Sequence, residues 1–346
     1  MKLGLQLGYW AAKPPSDHLD KVIEAERLGY DIVFTAESWG SDAYTPLAWW
    51  GSRTSTIRLG TSVVQMSGRT PTSTAMHALT LDHLSAGRHI LGLGLSGPQV
   101  VEGWYGQPFA KPLARTREYV DIVRQVMQRE APVSNVGPHY PLPYRGSGSL
   151  GVGKPLKPTV HPLRADIPIW LGAEGPRNIA LTAEIADGWI PIYYAPRARA
   201  MYDEWLDEGF SRPTARRTRE TFEIAANCGI VVTDDRDTVL DSMKDGLAFY
   251  IGGMGSKDMN FHKNVFERMG YAKEANEIQD LFLAGHREKA IAAVPRQVVA
   301  DLNLVGSVER IRDEVGAWED AGVTHLVIGA SSIQKVRSAA EVVLGA

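Results

Sequence analysis

A carboxylate stands at the end of a strand-like apolar run near the start of the chain. Glu37 directly follows Asp31–Ala36, a run with the β-branched and aromatic residues typical of a buried strand. When such a strand belongs to a parallel barrel, the groups that carry out chemistry lie at its carboxyl end. We therefore predict that Glu37 is the catalytic residue, acting on a proton or on a ligand. The alternative is an ion pair that only holds the loop.

A second candidate site lies at a turn between a strand and a helix. The segment Leu171–Asn178 contains Gly175, Pro176 and Arg177 in succession. Proline is favoured at the first position of a helix, so Gly175 is the predicted helix cap. Free N–H groups and the positive end of the helix dipole would then lie beside Arg177, an arrangement that binds anions. An ordinary turn without a ligand is the alternative.

The chain also contains a literal G-x-G-x-x-G motif, from Gly92 to Gly97. A dinucleotide-binding motif of this form opens a helix, and an acidic residue follows at a strand end about 20 residues later. Here Pro98 and Trp104 interrupt the region, and position 118 falls inside a predicted helix. We interpret the motif instead as a glycine-rich strand end at which the backbone approaches a ligand closely.

Four glycines mark a repeated joint between a helix and the strand after it. Gly29, Gly87, Gly188 and Gly322 each end a helical segment and precede an apolar run. Glycine can adopt the left-handed conformation that closes a helix before the chain turns into a strand. The repetition predicts a parallel α/β sheet along the whole chain. We predict strands near residues 3–8, 31–36, 57–64, 89–94, 167–172, 188–192, 223–232 and 325–329.

Eight strands favour a closed TIM (β/α)8 barrel over an open, doubly wound sheet. We expect residues 1–346 to form a single domain. Two long segments exceed the minimal barrel and follow the fourth and seventh predicted strands, between Gly94 and Ile167 and between Cys228 and His325. Insertions of this kind usually cap the carboxyl-terminal face of a barrel, where the active site lies.

The composition predicts a globular protein that binds neither nucleic acid nor a membrane. Hydrophobic residues make up 44% of the chain, charged residues 22%, and the formal net charge is −3, without the basic excess of nucleic-acid-binding proteins. No apolar run approaches the ~18 residues that span a bilayer. Cys228 is the only cysteine and Lys2–Gly8 has strand periodicity, so we expect a cytoplasmic protein. The histidines at 77, 83 and 89 are divided between a helix and a strand, and no metal site is predicted.

Taken together, these segments resemble the luciferase-like oxidoreductase family over nearly the whole chain. The stretch Ser96–Trp104 is most similar to the branch of the family that uses the deazaflavin coenzyme F420. The segments that carry the resemblance are Gly4–Tyr9, Ile32–Trp39, Leu59–Val63, Arg88–Gly97, Ile167–Pro191 and Val305–Val323. The resemblance implies an F420-dependent enzyme on a TIM barrel, and the family suggests a homodimer.

The resemblance also implies where the cofactor binds. The deazaflavin ring would lie at the carboxyl-terminal mouth of the barrel, with its back against Ser62–Val63, whose bond corresponds to a cis peptide of the family. Glu37, Gln65 and Leu95–Gly97 correspond to contacts of the ring and ribityl chain, and Gly175–Arg177 to the phosphate turn. The predicted cofactor-binding residues are Glu37, Ser62, Val63, Gln65, Gly94, Leu95, Ser96, Gly97, Ala173, Glu174, Gly175, Pro176 and Arg177.

The sequence departs from the sugar-phosphate dehydrogenases of this branch at both proton-handling positions. Their second strand ends in Asp-His, where this chain has Glu37 and Ser38, and Pro98 and Gln99 stand where their second catalytic carboxylate follows the glycine turn. Sugar-phosphate oxidation is therefore not implied. Because hydride chemistry belongs to the cofactor, the fold and the ring site can persist while the substrate changes.

We predict hydride transfer between coenzyme F420 and an unidentified small organic substrate. The tryptophans at 10, 39, 49, 50 and 104 suggest an aromatic, apolar substrate pocket. An FMN-dependent monooxygenase on the same fold is the closest alternative. A barrel that binds a cofactor or ligand as a carrier, without turnover, is the alternative from another functional class.

Overall fold

The computed structural model describes all 346 residues, and its central element is a closed barrel of parallel strands. The strands are β1 (Lys2–Gln6), β2 (Ile32–Thr35), β3 (Arg58–Thr61), β4 (Val64–Gln65), β5 (His89–Gly94), β6 (Ile169–Gly172), β7 (Gly188–Ile190), β8 (Glu223–Asn227), β9 (Gly229–Val232), β10 (Asn303–Gly306) and β11 (His325–Gly329). The order β3-β2-β1-β11-β8-β7-β6-β5 is closed by pairing between β3 and β5. β4 continues β3 after Ser62–Val63 and also pairs with β5. Because β3 and β4 together form one barrel strand, the barrel has eight strands. The predicted TIM barrel is confirmed.

The helices surround this barrel in the alternating pattern that parallel strands require. They are α1 (His18–Arg27), α2 (Tyr44–Gly51), α3 (Pro71–Leu84), α4 (Pro98–Gly103), α5 (Pro112–Gln128), α6 (Pro176–Ile185), α7 (Arg199–Phe210), α8 (Arg236–Ser242), α9 (Lys244–Gly253), α10 (Phe261–Phe266), α11 (Ala272–Leu283), α12 (Arg287–Ala293), α13 (Arg296–Asp301), α14 (Val308–Asp320) and α15 (Ile333–Val343). A 3-10 turn precedes α7 and a π turn follows α10. None of the helices combines the length and apolar character needed to cross a membrane.

Two apolar cores follow from the alternation of side chains along the strands. One face of each strand packs against the helices in a cluster of 74 buried residues. The other face points into the barrel, where a cluster of seven buried residues fills the interior: Ile32, Phe34, Ile90, Trp170, Ile190, Ala225 and Val327. The barrel is therefore a packed core, and a ligand must bind at its mouth.

Three of the four predicted glycine joints have the expected backbone. Gly29, Gly87 and Gly322 have φ angles of 83°, 86° and 84°. The prediction for Gly188 is wrong, because α6 ends at Ile185 and Gly188 is the first residue of β7. A β-carbon at Gly188 would lie 2.7 Å from the ring of Trp170, so glycine is required there by close packing.

The predicted strand 223–232 is interrupted at Cys228. Its first half, β8, remains in the barrel, whereas β9 leaves it and pairs in parallel with β10, a strand that the sequence pattern did not reveal. Asn303 fixes the junction, because its Oδ1 accepts a hydrogen bond of 2.8 Å from the N–H of Gly229. Both predicted insertions are present: α4, α5 and an irregular segment follow β5, and α8–α13 follow β9.

Candidate active site

A cavity of about 1370 Å³ opens at the carboxyl-terminal mouth of the barrel, and 40 residues line it. Every predicted cofactor-binding residue is among them. The strand ends of β2, β4, β5 and β6 supply the floor, and helices α9 and α10 of the second insertion supply one wall. The structure thus brings the predicted residues together, although they are separated by up to 140 positions in the chain.

The floor of the cavity contains the Ser62–Val63 bond, which is cis as predicted. Gln6 holds this segment, because its Nε2 donates to Ser62 Oγ at 3.1 Å. Two glycines leave room for the Val63 side chain. A β-carbon at Gly94 would lie 2.3 Å from Val63 Cγ2, and one at Gly172 would lie 3.3 Å from Val63 Cγ1. Glycine at these strand ends therefore shapes the surface on which a flat ligand can rest.

Glu37 lines the same cavity, but its carboxylate is already engaged by protein groups. Oε1 accepts hydrogen bonds from the N–H of Gln65 at 2.9 Å and from Arg69 Nη1 at 2.5 Å. Oε2 accepts a longer bond of 3.3 Å from the N–H of Ala43. Although burial opposes the charge of Arg69, its hydrogen bond to Glu37 raises its pKa. These contacts favour the ion-pair alternative, and the catalytic role of Glu37 stays a prediction.

The turn at Gly175 has the predicted form of an anion site. Gly175 caps α6 and Pro176 is its first residue. A β-carbon at Gly175 would meet nothing within 4 Å, so the space above the helix end is open. Arg177 is exposed beside it and lines the cavity. An anionic group placed there would meet the positive end of the helix dipole and one guanidinium.

A carboxylate–histidine pair in the cavity was not predicted from the sequence. His262 Nδ1 lies 2.8 Å from Oε1 of Glu174, the residue that precedes the helix cap Gly175. The imidazole also lies edge-on to the rings of Tyr250 and Tyr193, with ring centroids 5.1 and 6.1 Å away. Burial raises the pKa of both tyrosines, so their hydroxyls stay neutral. The two partners are 88 residues apart, and no local pattern signals such a pairing.

Only two of the five tryptophans proposed for the substrate pocket line the cavity, Trp39 and Trp104. Trp50 is buried in the main core, and Trp10 and Trp49 do not contribute to the lining. The apolar surface that the other tryptophans do not supply comes from residues of the two insertions: Phe109, Phe249, Met254, Met259 and Phe261. The walls are therefore aromatic and apolar, as predicted, but mostly through residues that sequence reasoning missed.

Comparison with known proteins decides the family. A model of the luciferase-like monooxygenase family matches residues 4–325. The chain belongs to this family. A protein of Mycobacterium tuberculosis, named as a coenzyme F420-dependent oxidoreductase, is 61% identical over 343 residues, which is 99% of each chain. The resemblance to the F420-dependent branch is therefore confirmed.

Solved structures of two F420-dependent enzymes share the fold over almost the whole chain. The coenzyme F420-dependent tetrahydromethanopterin reductase of Methanopyrus kandleri superposes with a TM-score of 0.81 at 22% identity, covering 99% of this chain and 98% of that one. An F420-dependent secondary alcohol dehydrogenase, in complex with an F420–acetone adduct, gives 0.73 at 17% identity with the same coverage. At these identities the likeness establishes the barrel and its insertions.

Proposed function

We propose that this protein is a coenzyme F420-dependent oxidoreductase that transfers a hydride between the deazaflavin and a small, apolar organic substrate. The observation that carries the proposal is the assembly of all the predicted ring and phosphate residues around one cavity. The 61% identical relative, which is named for the same cofactor, supports the assignment. Enzymes of one family commonly retain the cofactor site while loops change the substrate.

The residues present fit a deazaflavin. Gln65 Oε1 is buried and has no hydrogen-bond partner within the protein, so it is available to accept a hydrogen bond from a ligand N–H. The pyrimidine edge of a deazaflavin carries such an N–H. Ser62, Val63 and Gly94 would support the ring, and the Gly175 turn would hold the phosphate. When bound, the deazaflavin supplies a hydride donor or acceptor that works without oxygen.

The chain's own residues bind, orient and shield the reacting groups. Glu37 and Arg69 fix the backbone of Gln65, so the ring-binding surface is organised before any ligand arrives. The cavity lining includes the apolar side chains of Phe249, Phe261 and Trp104, which would help to exclude water from the reacting carbon when a substrate is bound. The same apolar walls favour a substrate with an aromatic or aliphatic body over a sugar phosphate.

The FMN-dependent monooxygenase alternative requires oxygen, whereas an F420-dependent oxidoreductase does not, so an activity assay with and without oxygen distinguishes these two functions. We expect the protein to reduce members of a panel of apolar ketones and enones with reduced F420, at rates that agree within about twofold in air and under nitrogen. Turnover is measured from the reappearance of oxidised F420 absorbance, with product identified by mass spectrometry. Formation of an oxygenated product from reduced FMN, only in air, would instead establish the monooxygenase. Binding of F420 without turnover of any substrate would favour the carrier.

A further inference from the structure

The proposed oxidoreductase lacks an assigned group to handle the proton that accompanies the hydride. Reduction of a C=O or C=N bond requires a proton on the heteroatom, and the two positions that serve this purpose in the sugar-phosphate dehydrogenases are Ser38 and Pro98–Gln99 here. Neither a serine hydroxyl without a base nor a proline or amide can fill that role efficiently. Among the ionisable groups of the cavity, Glu37 is committed to Arg69 and to two backbone N–H groups.

The Glu174–His262 pair has the geometry that proton transfer needs. Glu174 stands just beyond the carboxyl end of β6, and its Oε1 holds His262 Nδ1 at 2.8 Å. A carboxylate bound to one ring nitrogen selects the tautomer with the proton there and stabilises the imidazolium when it forms. The Nε2 atom has no hydrogen-bond partner within the protein, and the imidazole lines the cavity. About a fifth of its side-chain surface is exposed, so a ligand in the cavity can reach the imidazole.

The histidine is held in place by the insertion that carries it. Asn260 caps α10 by accepting the N–H of Lys263 at 2.9 Å, and its Nδ2 donates to the carbonyl oxygen of Ile251 in α9 at 2.8 Å. Asn260 is buried, so these bonds are shielded from water. The rings of Tyr193 and Tyr250 restrict the imidazole from the sides. A rigidly held imidazole beside a carboxylate is preorganised for catalysis.

We propose that His262 is the general acid and base of the reaction and that Glu174 is its positioning residue; this rests on the proposed function. In the direction of reduction, the substrate carbon accepts a hydride with its electron pair from the reduced deazaflavin. The π pair of the C=O bond moves to oxygen, which takes the proton of His262 Nε2. The substrate gains two electrons and becomes an alcohol, the deazaflavin is oxidised, and the imidazole regains a proton from water. The reverse reaction uses the neutral imidazole as the base.

This assignment revises the expected part of Glu174 in the cofactor site. The Glu174 carboxylate would repel a phosphate at the neighbouring Gly175 turn. Its Oε1 is instead bound to the His262 imidazole. Tyr193, Tyr202 and Tyr250 lie close enough to Glu174 to feel its charge, and burial raises the pKa of each, so their hydroxyls stay neutral. Arg177 lines the same cavity and is the residue expected to contact an anion at the Gly175 turn.

The test combines turnover with a measurement that needs no substrate. With reduced F420 and the ketone that the wild type reduces fastest, we expect His262→Gln to lower kcat roughly 10²-fold or more. The Kd for F420, from fluorescence titration, should stay within about threefold of the wild type. His262→Gly should recover turnover when imidazole is added to the buffer, which a structural histidine would not allow.

Diethyl pyrocarbonate modification, read by mass spectrometry in the cofactor-free protein, supplies the second measurement. We expect His262 to be modified, and Glu174→Gln to slow its modification relative to the exposed His286 of the same chain. An unmodified His262, or full turnover by His262→Gln with F420 still bound, would overturn the assignment. Failure of the wild type to bind F420 would overturn the proposed function instead, so the two failures are distinguishable.

Discussion

Replacing Gly94 with alanine is expected to weaken F420 binding roughly 10²-fold, which corresponds to about 2.8 kcal/mol. The added β-carbon would lie 2.3 Å from Val63 Cγ2, closer than two carbon atoms can approach. Valine is branched at its β-carbon and has little freedom to rotate away. Overpacking of this kind costs about 1–3 kcal/mol, and relief of the contact would move Val63 into the place proposed for the ring. The Kd is measured by fluorescence titration.

Gly316→Ala is the matched control for this substitution. Gly316 lies in α14, and a β-carbon there would meet nothing within 4 Å. Alanine stabilises a helix relative to glycine by up to about 1 kcal/mol, so the control should keep its cofactor affinity and gain slightly in thermal stability. Unchanged F420 affinity in Gly94→Ala would show that the ring does not rest on Val63.

Glu37→Gln is expected to lower the free energy of unfolding by about 3 kcal/mol. This value lies at the lower end of the about 3–5 kcal/mol lost when one partner of a buried ion pair is removed, because Arg69 is partly exposed. The glutamine would leave the Arg69 guanidinium without its charged partner, and Gln65 would lose the acceptor that fixes its backbone. F420 affinity should fall about tenfold, while kcat at saturating cofactor should stay within about threefold of the wild type. Urea unfolding, titration and steady-state rates check these values.

The double variant Glu37→Gln/Arg69→Met separates charge from shape. If the unpaired guanidinium causes the loss, removal of both charges should be less destabilising than the sum of the single variants. A different result for Glu37→Gln would support the catalytic role predicted for Glu37. That result is a loss of kcat of roughly 10²-fold, with stability and cofactor affinity like those of the wild type.

The barrel could be predicted because its signals are local. Each strand is a short apolar run bounded by a glycine or a polar turn, and three of the four joint glycines adopt the left-handed backbone that links helix to strand. The anion turn was predictable for the same reason, since Gly175 and Pro176 are adjacent. The departure of β9 from the barrel was not predictable, because β9 pairs with β10, whose first residue, Asn303, lies 74 residues beyond Gly229.

The least predictable parts of the site come from the insertions. Trp49 and Trp50 are neighbours in sequence, yet Trp49 is 59% exposed and Trp50 only 3%, and neither lines the cavity. The side-chain types of two adjacent tryptophans cannot show which one faces the core. His262 lies at the cavity in a helix, α10, that Asn260 connects to α9 by a hydrogen bond. The residue types of these segments are visible in the sequence, but the directions in which their side chains point are set by packing against distant parts of the chain.

Competitive cofactor titration shows whether the cavity binds a deazaflavin in preference to a flavin. Trp39 and Trp104 line the cavity, so ligand binding should quench their fluorescence. We predict that coenzyme F420 binds with a Kd at least roughly 10²-fold below that of FMN. Tight binding of FMN with no response to F420 would show that the cavity is a flavin site and not a deazaflavin site.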